Sequence, residues 1–209
     1  MEKIIQNLIE ERILKTPLII DAFRNIKRED FVPEQIKEEA DINAPLPIGY
    51  GQTISQPLTV AFMLELLQPQ PGDKILDIGA GSGWQAALLA YCVGRPPTGG
   101  GQVYAVEVIP QIAEFGKKNV SKYGFIEKGV VKFIQADGSR GLKWAAPFDK
   151  IIAAASARRM PDEWKKQLKI GGRLVAPIRE SIWLAIKNSE NDFEEKEFPG
   201  FVFVPLVEL

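Results

Sequence analysis

Histidine is absent from this 209-residue chain, and cysteine occurs once, as Cys92. These two scarcities exclude thiolate zinc sites, imidazole metal centres, Ser-His-Asp triads and the commonest general base, so no metal site is expected. A single cysteine also excludes an intramolecular disulfide. Lying in an apolar stretch, it reads as a buried core thiol in a reducing compartment. Nor is there an excess of charge: 26 basic residues against 27 acidic ones create no global field for nucleic acid or an anionic membrane. No apolar run approaches the roughly 18 residues of a membrane helix, and the N-terminus lacks the charged-then-apolar pattern of a signal peptide. The expectation is a soluble, cytoplasmic protein with neither nucleic-acid nor membrane partners. Its chemistry has to run on carboxylates, hydroxyls, backbone dipoles or an already activated cofactor.

What is present centres on residues 74–87, KILDIGAGSGWQAA. Residues 75–78 form an apolar run with the look of a buried parallel strand, broken by Gly79, Gly81 and Gly83 before an alanine- and leucine-rich helix over 84–93. Glycines there allow positive φ and let a ligand meet the backbone, while the free N–H groups of the first helical turn face the same spot. The dinucleotide pattern G-x-G-x-x-G requires a glycine where Trp84 stands, which disfavours a hydride-transfer enzyme. Asp77 followed by G-x-G-x-G resembles the first motif of S-adenosylmethionine-dependent methyltransferases. A glycine turn that merely closes a strand-helix corner is the simpler alternative.

Residues 102–108 read as a second strand with Glu107 near its end, where an acid can accept two ribose hydroxyls or stand as a solvated carboxylate. The interval from the glycines exceeds the usual roughly 20 residues, and residues 94–101, GRPPTGGG, supply the excess as a loop. Upstream, residues 2–28 carry helical spacing in two segments divided at Pro17, and the proline- and glycine-rich residues 44–51 read as an ordered loop. Pro57 opens an amphipathic helix to about residue 67. Ser55 and Gln56 therefore stand where they either cap that helix or act on a ligand, and the segment alone leaves both open. Further strands are expected over 130–134, 150–155, 173–177, 182–186 and 201–204. Residues 189–197, with five acids against one lysine, read as a solvated turn. Asp137 and Gly138 follow the third strand as an adenine-facing acid or an ordinary turn.

The string PLPIGYGQTISQP over 45–57, followed by PGDKILDIGAGSGWQAALLA over 71–90, is similar to the protein-L-isoaspartate (D-aspartate) O-methyltransferases. Asp30, Phe31, Val32 and Pro33 resemble the family's upstream signature. Residues 136–138, 146–152 and 167–177 resemble its middle and later strands, so the likeness runs over about 28–178. It implies a Rossmann-like α/β methyltransferase fold, a mainly parallel sheet flanked by helices with an N-terminal helical extension. One domain is expected, with residues 1–57 as helices and substrate loop and 58–209 as cofactor core. It also implies S-adenosyl-L-methionine as cofactor and isoaspartyl proteins and peptides as partners, acted on by a monomer. Ser55 becomes the catalytic hydroxyl, Ile54, Gln56 and Pro57 its substrate-side neighbours, and Asp77, Gly79, Gly81, Gly83, Glu107, Asp137 and Gly138 the cofactor set. The chain departs from the family pattern at Asp41, Asn43, Trp84, Ala154 and Arg179, four of which fall outside the cofactor motif. Methylation of another acceptor, or cofactor binding without turnover, are the competing readings.

Overall fold

In the computed structural model, which describes residues 1–95 and 99–207, two amphipathic helices come first, α1 (Glu2–Glu10) and α2 (Pro17–Asn25). Their apolar spacing turns Ile4, Ile5 and Leu8, then Ile19, Ala22 and Phe23, inward. Two 3-10 turns follow, Arg28–Phe31 and Glu34–Glu39, then β1 (Leu46–Gly49), β2 (Gln52–Ile54) and α3 (Pro57–Leu67). The central unit alternates strands and helices: β3 (Lys74–Ile78), α4 (Trp84–Val93), β4 (Gln102–Glu107), α5 (Pro110–Ser121), β5 (Val131–Gln135) and β6 (Phe148–Ala153). It closes with α6 (Asp162–Lys166), β7 (Leu168–Ile178), β8 (Ser181–Ser189) and β9 (Asp192–Pro199).

Seven strands form one sheet in the order β5-β4-β3-β6-β7-β8-β9. The first five are parallel, and β8 and β9 are added antiparallel. The chain starts at β3, winds outward through β4 and β5, then returns to lay β6 on the other flank. That reversal opens a crevice at the carboxyl ends of β3 and β6, where ligands bind in sheets of this kind.

Helix α4 is buried on nearly every side because α2 packs over it, leaving it between the sheet and the N-terminal helices. Phe23 meets Trp84 edge-on, with ring centroids 5.5 Å apart. Each such aromatic, fully withdrawn from water, contributes about 1.5–3 kcal/mol. Cys92, also in α4, is fully buried, and desolvation pushes its thiol up to about 12.

Several expectations need correction. The acidic residues 189–197 are not a turn: most of them form β9, paired along β8 from Ser189↔Asp192 to Ser181↔Pro199. Charge on an edge strand deters pairing with another chain, which is why its pattern hides the strand. Residues 44–51 contain β1 and, with β2, make an antiparallel hairpin. Residues 201–204 are not a strand; among the described residues, the bridge nearby joins Ser156 to Pro205. The loop over 94–101 falls partly on residues 96–98, which lie outside the described residues.

Candidate active site

The floor of the crevice is the glycine loop that β3 delivers. Gly79 and Ala80 both donate their N–H groups to Val106 O, at 2.8 and 3.0 Å, tying the loop to β4. Gly79, Gly81 and Gly83 take φ of +73°, +55° and +87°, a region that L side chains avoid. Their surroundings differ. A Cβ at Gly83 would lie 2.7 Å from Val120 Cγ2 and 2.9 Å from Gly116 O, so this glycine serves the packing of α5. At Gly81 the nearest atom would be Ile48 Cδ1 at 3.7 Å, so a Cβ there enters the cleft itself.

Glu107, at the end of β4, locks onto this loop. Its Oε2 accepts the Gly81 N–H and its Oε1 the Ile109 N–H, both at 3.0 Å. Each oxygen keeps a second lone pair for a ligand hydroxyl. Asp77 is placed differently. It is fully buried under the loop, accepts a 2.7 Å hydrogen bond from Gln85 Nε2, and does not itself line the cleft, although Gln85 does. Its Oδ2 has no hydrogen-bond partner among the described residues. Desolvation first, and then the Glu107 charge, push its carboxyl up to about 7 against the opposing Gln85 hydrogen bond.

After β5, Ala136 and Gly138 line the cleft, and Asp137 between them accepts the Ser139 N–H at 2.8 Å. A Cβ on Gly138 would lie 2.8 Å from Ile78 Cγ2, so only glycine lets this turn rest against the end of β3. Its carbonyl is held by Trp164 Nε1 at 3.0 Å.

The opposite wall comes from the hairpin. Gln52, Thr53, Ile54 and Ser55 line the cleft, and Thr53 and Ser55 also line a neighbouring surface groove with Gln56 and Thr59. Ser55 does not cap α3. The cap residue is Gln56, whose side chain makes no capping bond, and the Leu58 N–H is taken by Asn43 Oδ1 at 3.0 Å. Gln56 Nε2 donates to Asn43 O at 3.0 Å, and Pro57 is the buried first residue of the helix. Asn43, which reads as a departure on the substrate side, is thus the capping group.

The roof was not foreseeable from motifs. Residues 204–207 cross the cleft, held by Ser156 N–H to Val204 O at 2.8 Å and Leu206 N–H to Ser156 O at 2.9 Å. Trp84 and Gln85, from the first turn of α4, and Ile109 also line it. Including its open mouth, the cleft encloses about 780 Å³ of empty space. A bare glycine cradle, a doubly anchored acid with spare lone pairs, and a turn that only glycine permits suit a ribonucleoside with a polar tail.

A mainly parallel sheet with this reversal and this cleft is that of the Rossmann-like S-adenosylmethionine-dependent methyltransferases. Residues 1–209 match the model of the protein-L-isoaspartate(D-aspartate) O-methyltransferase family, and the chain belongs to it. It is 42% identical over 210 residues to the protein-L-isoaspartate O-methyltransferase of Staphylothermus marinus, covering 98% of this chain and 92% of that one. It is 38% identical to that of Methanopyrus kandleri, covering 99% and 90%. A crystal structure from Plasmodium falciparum, a β-aspartate methyltransferase in complex with S-adenosyl-L-homocysteine by its description, superposes with a TM-score of 0.87. At 22% identity, covering 98% of this chain and 97% of that one, it supports the fold. The cofactor is S-adenosylmethionine.

Proposed function

We propose that the chain methylates the side-chain carboxylate of L-isoaspartyl residues in damaged proteins and peptides, with Ser55 as the hydroxyl that orients the carboxylate. The observation carrying this reading is the shared wall: Thr53, Ser55, Ala154 and Val204 line both the cofactor cleft and the adjacent open groove. A peptide in the groove therefore meets the cleft at Ser55.

When bound, the cofactor supplies a methyl group on a positively charged sulfur, an electrophile already activated. A carboxylate, with a reference pKa of about 4, is ionised at neutral pH and needs no general base. Alignment is what the protein has to provide. The absence of histidine then costs nothing. Ser55 donates a hydrogen bond to one carboxylate oxygen; with no base beside it, the hydroxyl positions rather than attacks. Ile54 and Gln56 flank it, and Pro57 fixes the helix start behind it. Glu107 accepts the ribose hydroxyls, Gly79 and Gly81 expose backbone to the polar tail, and Gly83 holds the loop against α5. Asp137 and Gly138 form the adenine end, while Asp77 acts through Gln85 from beneath. The roof over 204–207 excludes water.

Residues 1–57 carry the substrate side and 58–209 the cofactor side of a single monomeric unit. The buried thiol of Cys92 suits a reducing cytoplasm. No helix among the described residues is long and apolar enough to cross a membrane.

Paired peptides that differ only in Asp or isoAsp at one position, incubated with radiolabelled cofactor, test the reading alongside calorimetry with S-adenosylhomocysteine. Label on the isoAsp peptide alone is expected. Binding without label on either peptide would make the chain a cofactor-binding module, and equal label on both would make another group the acceptor.

A further inference from the structure

One large charged side chain is unexplained by the cleft. Arg28 is fully buried, yet no carboxylate lies within ion-pair distance of it among the described residues. The acid that acts on it, Asp41, pairs instead with the N-terminal amine. Burial pulls the guanidinium down to about 10, so it is still a cation at neutral pH. Its counter-charges are four backbone carbonyls. Nη1 donates to Ala40 O and Ile42 O, both at 3.0 Å, and Nη2 to Ala44 O at 2.8 Å and Ser55 O at 3.1 Å. Its face lies over the Trp84 ring, 5.5 Å from the centroid.

The partners make this more than a core contact. Residues 40–44 form a strap outside any helix or strand of the sheet, so their carbonyls have no ladder to join. Within that strap Asn43 caps α3 and takes the Gln56 amide. Ser55 stands immediately before the same helix start. Trp84, under the guanidinium, is the first residue of α4 and lines the cofactor cleft. One rigid planar fork thus bonds the catalytic loop, the strap that caps its helix, and the aromatic floor beside the glycine loop. A hydrophobic residue of similar volume would satisfy none of the four carbonyls, and buried ion-like groups seldom favour stability over such a residue. What the fork does supply is a fixed geometry.

Resting on the reading of Ser55 given above, we infer that Arg28 is a positioning residue, holding the Ser55 loop in register with the cofactor cleft so that the substrate carboxylate is aligned for transfer. It touches neither cofactor nor substrate. Its loss acts on turnover, leaving the cofactor in place.

Arg28→Met and Arg28→Lys test this by two independent readouts. Hydrogen exchange needs no activity: both variants should exchange faster at the amides over 40–44 and at those of Ser55, Gln56 and Leu58, with the amides of β3 and β4 unchanged. Kinetics should show a kcat lowered on the order of a hundredfold for Met, the cost of a misplacement near 1 Å. Lysine, which keeps the charge and three donors but not the planar fork, should recover part of it. The dissociation constant for S-adenosylhomocysteine should change less than threefold in either. Unchanged exchange and unchanged kcat in folded Arg28→Met would overturn the assignment. So would parallel loss of kcat and cofactor affinity, or collapse of both variants, since Arg28 would then be a fold element only. If the wild-type protein fails on isoaspartyl peptides, the substrate reading fails, while the exchange data still decide what Arg28 holds.

Discussion

Glu107 Oε2 accepts the N–H of Gly81 at 3.0 Å, so the acid at the end of β4 and the glycine loop at the end of β3 are one unit before any ligand arrives. Preorganisation of this kind keeps the ordering cost out of the binding step.

Replacing Glu107 by alanine removes both ligand acceptors and releases the Gly81 and Ile109 N–H groups. Hydrogen bonds to a charged acceptor contribute about 1.5–3 kcal/mol, so affinity for S-adenosylhomocysteine should fall on the order of tenfold to a hundredfold. Calorimetry on a folded sample gives the number directly. An unaltered dissociation constant would move the ribose elsewhere.

Two glycines of one motif should fail in different ways. Gly81→Val opposes a φ of +55° and projects into the cleft, where the nearest atom to a Cβ is 3.7 Å away, so the protein should fold and lose its cofactor. In Gly83→Ala a Cβ meets Val120 and Gly116 at under 3 Å, so the loss should appear in the melting temperature. Equal melting curves for the two variants would contradict this division.

Ser55 and Asn43 exchange the roles that their positions suggest. Ser55→Ala should leave stability nearly unchanged and lower turnover on the order of a hundredfold, a scale borrowed from single positioned donors in water-poor sites. Asn43→Ala removes the acceptor of the Leu58 N–H and should cost about 0.5–2 kcal/mol of stability. Thermal melts and single-turnover methylation on the same samples separate the two. A destabilised Ser55→Ala with full activity per folded molecule would leave the chain without an identified catalytic group.

The Asp77 carboxyl, raised from 3.8 to about 7 by desolvation first, makes stability depend on pH with a definite sign. Between about pH 4 and pH 7 the folded state holds a proton that the unfolded state has released, so stability falls as pH rises through that window. Above it both states are ionised and the slope vanishes. Asp77→Asn keeps an acceptor for Gln85, and it should remove this slope and melt higher than wild type at pH 8. Parallel curves for the two proteins from pH 4 to 8 would show that Asp77 is already charged when folded.

The parts of this protein that read directly from its sequence are those set by neighbouring residues. An apolar run, three glycines and an alanine-rich stretch determine β3, the loop and α4 locally, and Glu107 follows at the next strand end. Asp77 also reads as a strand-end acid, but that pattern does not say whether it lines the cleft or lies beneath it. Strand β9 was hidden because an edge strand tolerates acids on most positions, with only Phe193 and Phe198 partly buried. The roof over 204–207 depends on Ser156, far back in the chain, and no local spacing announces a single parallel bridge. Arg28 carries no signal in the sequence, because four carbonyl partners leave no mark on side-chain pattern.

The central claim is that the aligned group is an isoaspartyl carboxylate. A single peptide containing one Asp and one isoAsp, incubated with isotopically labelled S-adenosylmethionine and fragmented in a mass spectrometer, locates the methyl group within one molecule. The account predicts a base-labile ester on the isoAsp side chain and none on Asp. An ester distributed over both residues, or label on any other side chain, would contradict it.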